Sequence, residues 1–147
     1  MYASEIARAA RHLNIENFIG VFPLDRLPAS QLTRAPRPCS FIVNTDTSNL
    51  PGKHWIAVSC SGSGIVHAFD PLGQCYPFLL CRFLAKQGRT RRVLFNRVMY
   101  QNPRLRTCGQ HCLRWLKYKQ GMCLRVCNNE FVDKHMLSDL LLYYFSD

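Results

Sequence analysis

Two apolar runs separated by a short Gly/Ser loop restrict the fold of this chain more than any other feature. His54 to Cys60 reads HWIAVSC, Ile65 to Asp70 reads IVHAFD, and Ser61-Gly-Ser-Gly64 lies between them. Aliphatic and aromatic runs of this kind, joined by so few residues, predict an antiparallel hairpin, and Pro71 ends its second arm. Cys39 to Thr45 (CSFIVNT) has the same character and predicts a further strand. Arg91 to Gln101 alternates loosely and predicts another.

Helical spacing appears elsewhere. Ser4 is a candidate cap for a helix over Glu5 to Leu13, with Ile6, Ala9, Ala10 and Leu13 on one face. A helix is expected from about Pro77 to Lys86, closed by Gly88. A second runs from Cys108 to Gln120 with Gly121 as its stop, and a last one from about Asn129 to Phe145. The apolar segment Phe18 to Phe22 ends at Pro23, and the stretch with Pro28, Pro36 and Pro38 reads as an irregular connection. No repeat or low-complexity linker divides the 147 residues. We therefore expect one α+β domain over residues 1–147, a central sheet with helices packed against it.

Charge adds a partner class. The formal net charge is +10, and between Asp70 and Glu130 the chain has no acidic residue but 12 Lys and Arg, among them Arg89, Arg91, Arg92, Arg104 and Arg106. Cations in such a run repel one another unless an anion screens them, and nucleic acid is the natural candidate. The bland alternative is a solvated basic face. No apolar run is long enough to span a membrane, and the first 13 residues lack the apolar core of a signal peptide. A protein that is not secreted is therefore expected, with its eight cysteines as reduced thiols, mostly buried.

One of those thiols has the setting of a nucleophile. Cys108 stands where the loop after Pro103 gives way to a helix, and Gly109 follows it. Unpaired N–H groups and the positive end of the helix dipole favour a thiolate there. Arg104 and Arg106 act in the same direction, and Gly109 leaves room for substrate. Cys112, one turn on, would face the core. A base is needed, and His54 begins a strand after a Gly-containing loop. Its neighbour Trp55 points to the other face, either into the core or over the cleft. Asp70 ends the opposite arm of the hairpin, so the two outer ends are neighbours and the carboxylate can hold the imidazole. Gln101, seven residues before Cys108, is placed to donate its amide to an oxyanion beside the Cys108 backbone N–H.

Taken singly, each of these residues has an ordinary structural explanation. The order His, Asp, Gln, Cys with these intervals resembles the adenovirus protease family. His54-Trp55 before an apolar strand looks like that family's base motif. Phe69-Asp70-Pro71-Leu72-Gly73 is similar to its acidic motif, which usually carries Glu. Gln101-Asn102-Pro103 followed by Cys108-Gly109 and Cys112 looks like its oxyanion and nucleophile segment. Phe18-Ile-Gly-Val and Ile42-Val-Asn-Thr45 resemble its N-terminal strands. The wider clan, which includes proteases of ubiquitin-like modifiers, shares the residue order but usually has an interval one shorter between Gln and Cys.

The resemblance implies a compact version of the adenain fold, papain-like in having its nucleophile at a helix N-terminus. It implies a cysteine endopeptidase that cuts viral precursor proteins during virion maturation, in the virion and the host-cell nucleus. Catalysis would fall to His54, Asp70, Gln101 and Cys108, with Trp55 and Gly109 meeting substrate. The chemistry requires no cofactor, but the family uses DNA as an activator, which agrees with the basic span. Many members also take a viral peptide that adds a strand and forms a disulfide shortly before the Gln. Here no Cys occurs between Arg82 and Thr107, so an activating peptide would bind without that disulfide. The chain also stops sooner after the nucleophile helix than the adenovirus enzymes do, which implies a C-terminal part that is missing or reduced to the helix ending at Phe145.

Three other readings compete. Cys108, Cys112, Cys123 and Cys127, with His111 and His135 nearby, offer zinc ligands, although structural zinc knuckles more often space their thiols two residues apart. A non-enzymatic nucleic-acid-binding protein fits the basic span but lacks a recognised binding motif. A processing enzyme for ubiquitin-like modifiers would use the same catalytic residues.

Overall fold

The structure, a computed structural model, describes residues 2–45, 54–73, 78–96, 99–101 and 106–120. Its elements are α1 (Ala3–His12), β1 (Phe18–Pro23), α2 (Ala29–Arg34), β2 (Cys39–Asn44), β3 (Trp55–Cys60), β4 (Ile65–Phe69), α3 (Phe78–Lys86), β5 (Arg92–Phe95) and α4 (Cys108–Gln120). The strands lie side by side in chain order as one mixed five-stranded sheet. The β2–β3 and β3–β4 pairs are antiparallel, whereas β1–β2 and β4–β5 are parallel. Each parallel pair needs a crossover, and α2 and α3 lie in those two connections.

The near-continuous apolar strands are explained by cover on both faces of the sheet. On one face Ile42, Trp55, Ala57 and Phe69 pack with Ile6, Ala9 and Ala10 of α1 and with Cys108, Cys112, Leu113 and Leu116 of α4. On the other, Phe41, Val43, Ile56, Val58, Val66 and Ala68 pack with Leu24, Leu32 of α2 and Leu80 and Leu84 of α3. Successive residues of β2 and β3 alternate between the two clusters, the period of two that a pleated strand requires. Lys117 Nζ on α4 donates to the Leu13 carbonyl at 2.6 Å, tying the end of α1 to the same layer.

The expected α+β architecture and the hairpin are present, and the nucleophile helix has the expected bounds. Three local expectations differ. The first helix begins at Ala3, and its cap position, Tyr2, makes no side-chain capping bond. Ser4 therefore lies inside the first turn, where its side chain cannot cap the helix. The expected irregular connection contains α2, which buries the single residue Leu32; one buried side chain in six residues leaves no period to read. The strand expected over 91–101 stops at Phe95. The cause is Asn96, whose side chain takes the place of the next rung. Its Oδ1 accepts the Asp70 N–H at 2.8 Å, and its Nδ2 donates to the Asp70 carbonyl at 2.6 Å. The helix expected near the C-terminus lies outside the described residues.

Candidate active site

Three elements deliver the reactive groups to one end of the sheet. His54 immediately precedes β3, Asp70 immediately follows β4, and Cys108 opens α4, which packs across β3. The antiparallel register pairs Ala57 with Phe69, so the strand ends carrying His54 and Asp70 are adjacent. His54 Nε2 lies 2.5 Å from Asp70 Oδ1. His54 also hydrogen-bonds Cys108. With Nε2 directed at the carboxylate, Nδ1 is the ring nitrogen left for the thiol.

The surroundings of Asp70 keep its carboxylate in place. The residue is 2% exposed. Besides His54, Oδ1 accepts the Leu72 N–H at 2.9 Å. The Gly73 N–H donates to the Asp70 carbonyl at 2.9 Å, closing a turn in which Gly73 has φ of 63°, a conformation that glycine adopts without steric cost. Asn96 holds both backbone groups of Asp70, as described above. The next residue reaches the fourth member of the set: the Pro71 carbonyl accepts the N–H groups of Tyr100 and Gln101 at 2.8 and 3.0 Å. Gln101 is therefore anchored one residue from Asp70, and it is 5% exposed.

The electrostatics favour an ion pair. Burial is the largest influence on His54 and disfavours its protonation. Hydrogen bonds to Asp70 and Cys108, and the charges of both, outweigh it and raise the imidazole from 6.5 to about 9. Burial is also the largest influence on Cys108 and disfavours the thiolate. It is outweighed by the hydrogen bond to His54, the backbone N–H of Trp55, the imidazolium charge and the backbone N–H of Gly109, so the Cys108 pKa lies below its ordinary value. A thiolate beside an imidazolium is the form that attacks a carbonyl carbon. Cys112 is a contrast within the same helix. Its Sγ donates to the Trp55 carbonyl at 3.3 Å, and burial drives its pKa well above the ordinary value.

Of the two places open to the Trp55 ring, the structure uses the core: the residue is 3% exposed within the cluster beneath Cys108. Its backbone, not its ring, meets the nucleophile. Gly109 is buried next to Cys108. The described arginines among these do not form one patch. Arg106 is exposed just before α4, at the catalytic end, whereas Arg89, Arg91 and Arg92 are exposed near Gly64. They stand at the other end of β4, roughly 13 Å away at the rise of a strand. Arg104 lies outside the described residues. So do Cys123, Cys127 and His135 of the zinc alternative, and among the described residues no group of three or more His, Cys, Asp or Glu is placed to hold a metal.

A groove of about 480 Å³ opens between β4–β5 and α4, lined by Phe69, Leu94, Tyr100, Arg114 and Trp115 among others. It also touches Asn96 but neither His54, Asp70 nor Cys108. Asn96 is the residue that the sequence reading missed in this site. Its position just after an apolar run was the available signal, since a side chain that ends a strand often does so by bonding backbone.

A buried thiol–imidazole–carboxylate set thus stands at a helix start, on a mixed sheet covered on both faces. No family model matches the chain. A curated protein described as "Protease" from Porcine adenovirus A serotype 3 is 31% identical over 126 residues, a match covering 76% of this chain and 60% of that protein. The chain thus spans about 60% of the length of this relative. The crystal structure of ASFV pS273R protease superimposes with a TM-score of 0.58 at 16% identity, covering 95% of this chain and 63% of that one, and so shares the fold. The chain is thus similar over most of its sequence to an adenovirus protease, and it shares the fold of the pS273R protease.

Proposed function

We propose that this chain is a cysteine endopeptidase that cleaves viral precursor polypeptides during virion maturation. The observation that carries the reading is the contact of His54 with Asp70 at 2.5 Å, with Cys108 hydrogen-bonded to the same imidazole. Cys108 attacks the scissile carbonyl as a thiolate. His54 then gives its proton to the leaving amine and later activates the water that releases the acyl group. Asp70 holds the ring and stabilises its charge. Gln101 and the Cys108 backbone N–H receive the oxyanion, while Gly109 and the Trp55 backbone border the bound peptide. The named relative from an adenovirus is itself described as a protease, which supports the substrate class.

The basic residues extend this reading to DNA. Arg89, Arg91, Arg92, Arg104 and Arg106 would engage phosphates, with DNA as an activator instead of a chemical participant. An activating peptide, if used, binds without a disulfide in the segment before Gln101. The virion and the host-cell nucleus are the corresponding sites of action.

The test is cleavage of Gly-containing peptides and of precursor proteins from the same genome, with and without DNA. Wild type is compared with Cys108→Ala and Gln101→Ala. Cys108→Ala should abolish cleavage, and Gln101→Ala should lower kcat by about 10²–10³. Full activity in Cys108→Ala refutes the mechanism. A DNA affinity that barely changes with salt refutes phosphate contact by the arginines.

A further inference from the structure

At the end of the β2–β3 pair remote from His54, two other thiols face each other. Cys39 and Cys60 are direct register partners, and both belong to the second core cluster, at 2% and 0% exposure. Partners in an antiparallel pair have Cα atoms about 4.5–5.5 Å apart, within the span that a disulfide bridges. The two side chains are already hydrogen-bonded to each other, and both thiols are free.

The pair is also electrostatically asymmetric. Arg37 and Arg89 direct positive charge at Cys39, and Arg37 also hydrogen-bonds Cys60. Arg37 Nε and Nη1 are buried without a hydrogen-bond partner among the described residues. Arg89 Nη1 donates to the Ala35 carbonyl at 3.2 Å. Neither arginine has a carboxylate partner among the described residues. The hydrogen bond from Cys60 is the largest influence on Cys39; with the two arginines it overcomes burial and lowers the thiol to about 7. The same hydrogen bond and burial push Cys60 far upward. One partner is thus a thiolate near neutral pH and the other a protonated thiol held against it.

We propose that Cys39 and Cys60 form a peroxide-reactive dithiol, a modification site separate from Cys108, which closes to a disulfide between β2 and β3. The Cys39 thiolate attacks one oxygen of hydrogen peroxide. An S–O bond forms, the O–O bond breaks and hydroxide leaves, giving Cys39 sulfenic acid. Loss of the charge on Cys39 removes the largest influence that kept Cys60 protonated. Cys60 gives up its proton and attacks the Cys39 sulfur, and water departs as the S–S bond forms. In sum the two thiols lose two electrons and two protons, and peroxide becomes two waters. The low exposure of Cys39 admits a small oxidant and disfavours a bulky one.

The test uses the full chain carrying Cys108→Ala, so that the outcome is independent of the protease reading. The native protein is treated with hydrogen peroxide at neutral pH, unfolded, alkylated and digested. The expected product is a Cys39–Cys60 linked peptide pair that has lost two hydrogens and is released by dithiothreitol. Adding Cys60→Ala should instead leave a sulfenic acid at Cys39 that dimedone traps, and Cys39→Ala should leave Cys60 unlabelled. Recovery of both residues as free thiols while half-exposed Cys81 is oxidised overturns the proposal. If either second variant fails to fold, the peptide map of the Cys108→Ala protein alone decides.

Discussion

Replacing Asp70 by Asn removes one charge from the site and leaves its shape. The Asn side-chain oxygen can still accept from Leu72 and from the His54 ring, and the bonds of Asn96 to the residue 70 backbone remain. Raising His54 from 6.5 to about 9 corresponds to ~3.4 kcal/mol of preference for the imidazolium. Asp70 supplies a hydrogen bond and a charge, two of the four influences that act in this direction, and burial opposes all four. Taking roughly half of the total, the substitution costs the imidazolium ~1.7 kcal/mol or more and brings His54 to about 7–8. The sign follows from the raised pKa. The ion pair exists below the pKa of His54 and is lost as pH rises through it, while its acid limit is set by protonation of Cys108. Wild type should therefore keep the imidazolium beside the thiolate up to about pH 9, and the Asp70→Asn protein should lose it one to two pH units lower. Imidazole NMR of His54 as a function of pH reads this without any substrate, and the alkaline limb of peptide cleavage, which needs the imidazolium proton for the leaving amine, is a second measurement. An alkaline limit that does not move in a folded Asp70→Asn protein would refute the role assigned to the carboxylate.

Asn96→Ala deletes both bonds to the Asp70 backbone and should cost about 1–3 kcal/mol in denaturant unfolding. It should also lower kcat and shift the alkaline limit downward with KM little changed, a pattern that loss of stability alone does not produce. Leu113 is 0% exposed in the cluster under α4, so Leu113→Ala should destabilise by about 2–5 kcal/mol, read from the urea midpoint. Gly64 has φ of +86°, and a Cβ there would lie 2.8 Å from Arg91 Cγ and 3.0 Å from the Arg89 carbonyl oxygen. Gly64→Ala should cost about 1–3 kcal/mol, checked by thermal melting, with the His54 titration unchanged because the site is at the other end of the sheet.

Much of the candidate site was legible because its signals are local. The hairpin of His54 and Asp70 follows from two apolar runs and a short loop, and register then makes their outer ends neighbours. The position of Cys108 at a helix start follows from the spacing after Pro103. What was not legible depends on contacts between distant residues. Ser4 looks like a cap until the chain before it joins the helix. Asn96 looks like part of a strand until the Asp70 backbone, 26 residues away, claims its amide. Trp55 had two possible places, and only the packing of α4 across β3 selects the core.

By itself, then, the sequence determined most of the element types, the order of the candidate site residues and the excess of positive charge, since period, turn chemistry and composition are properties of neighbouring residues. The tertiary structure decided which side chains share a field. It raised His54 to about 9 between a carboxylate and a thiol, and left Cys112 inert one turn from Cys108. It also brought Cys39 and Cys60 face to face. Ionisation depends on burial and on charges a few ångströms away, and in this chain those charges come from segments that only folding brings together.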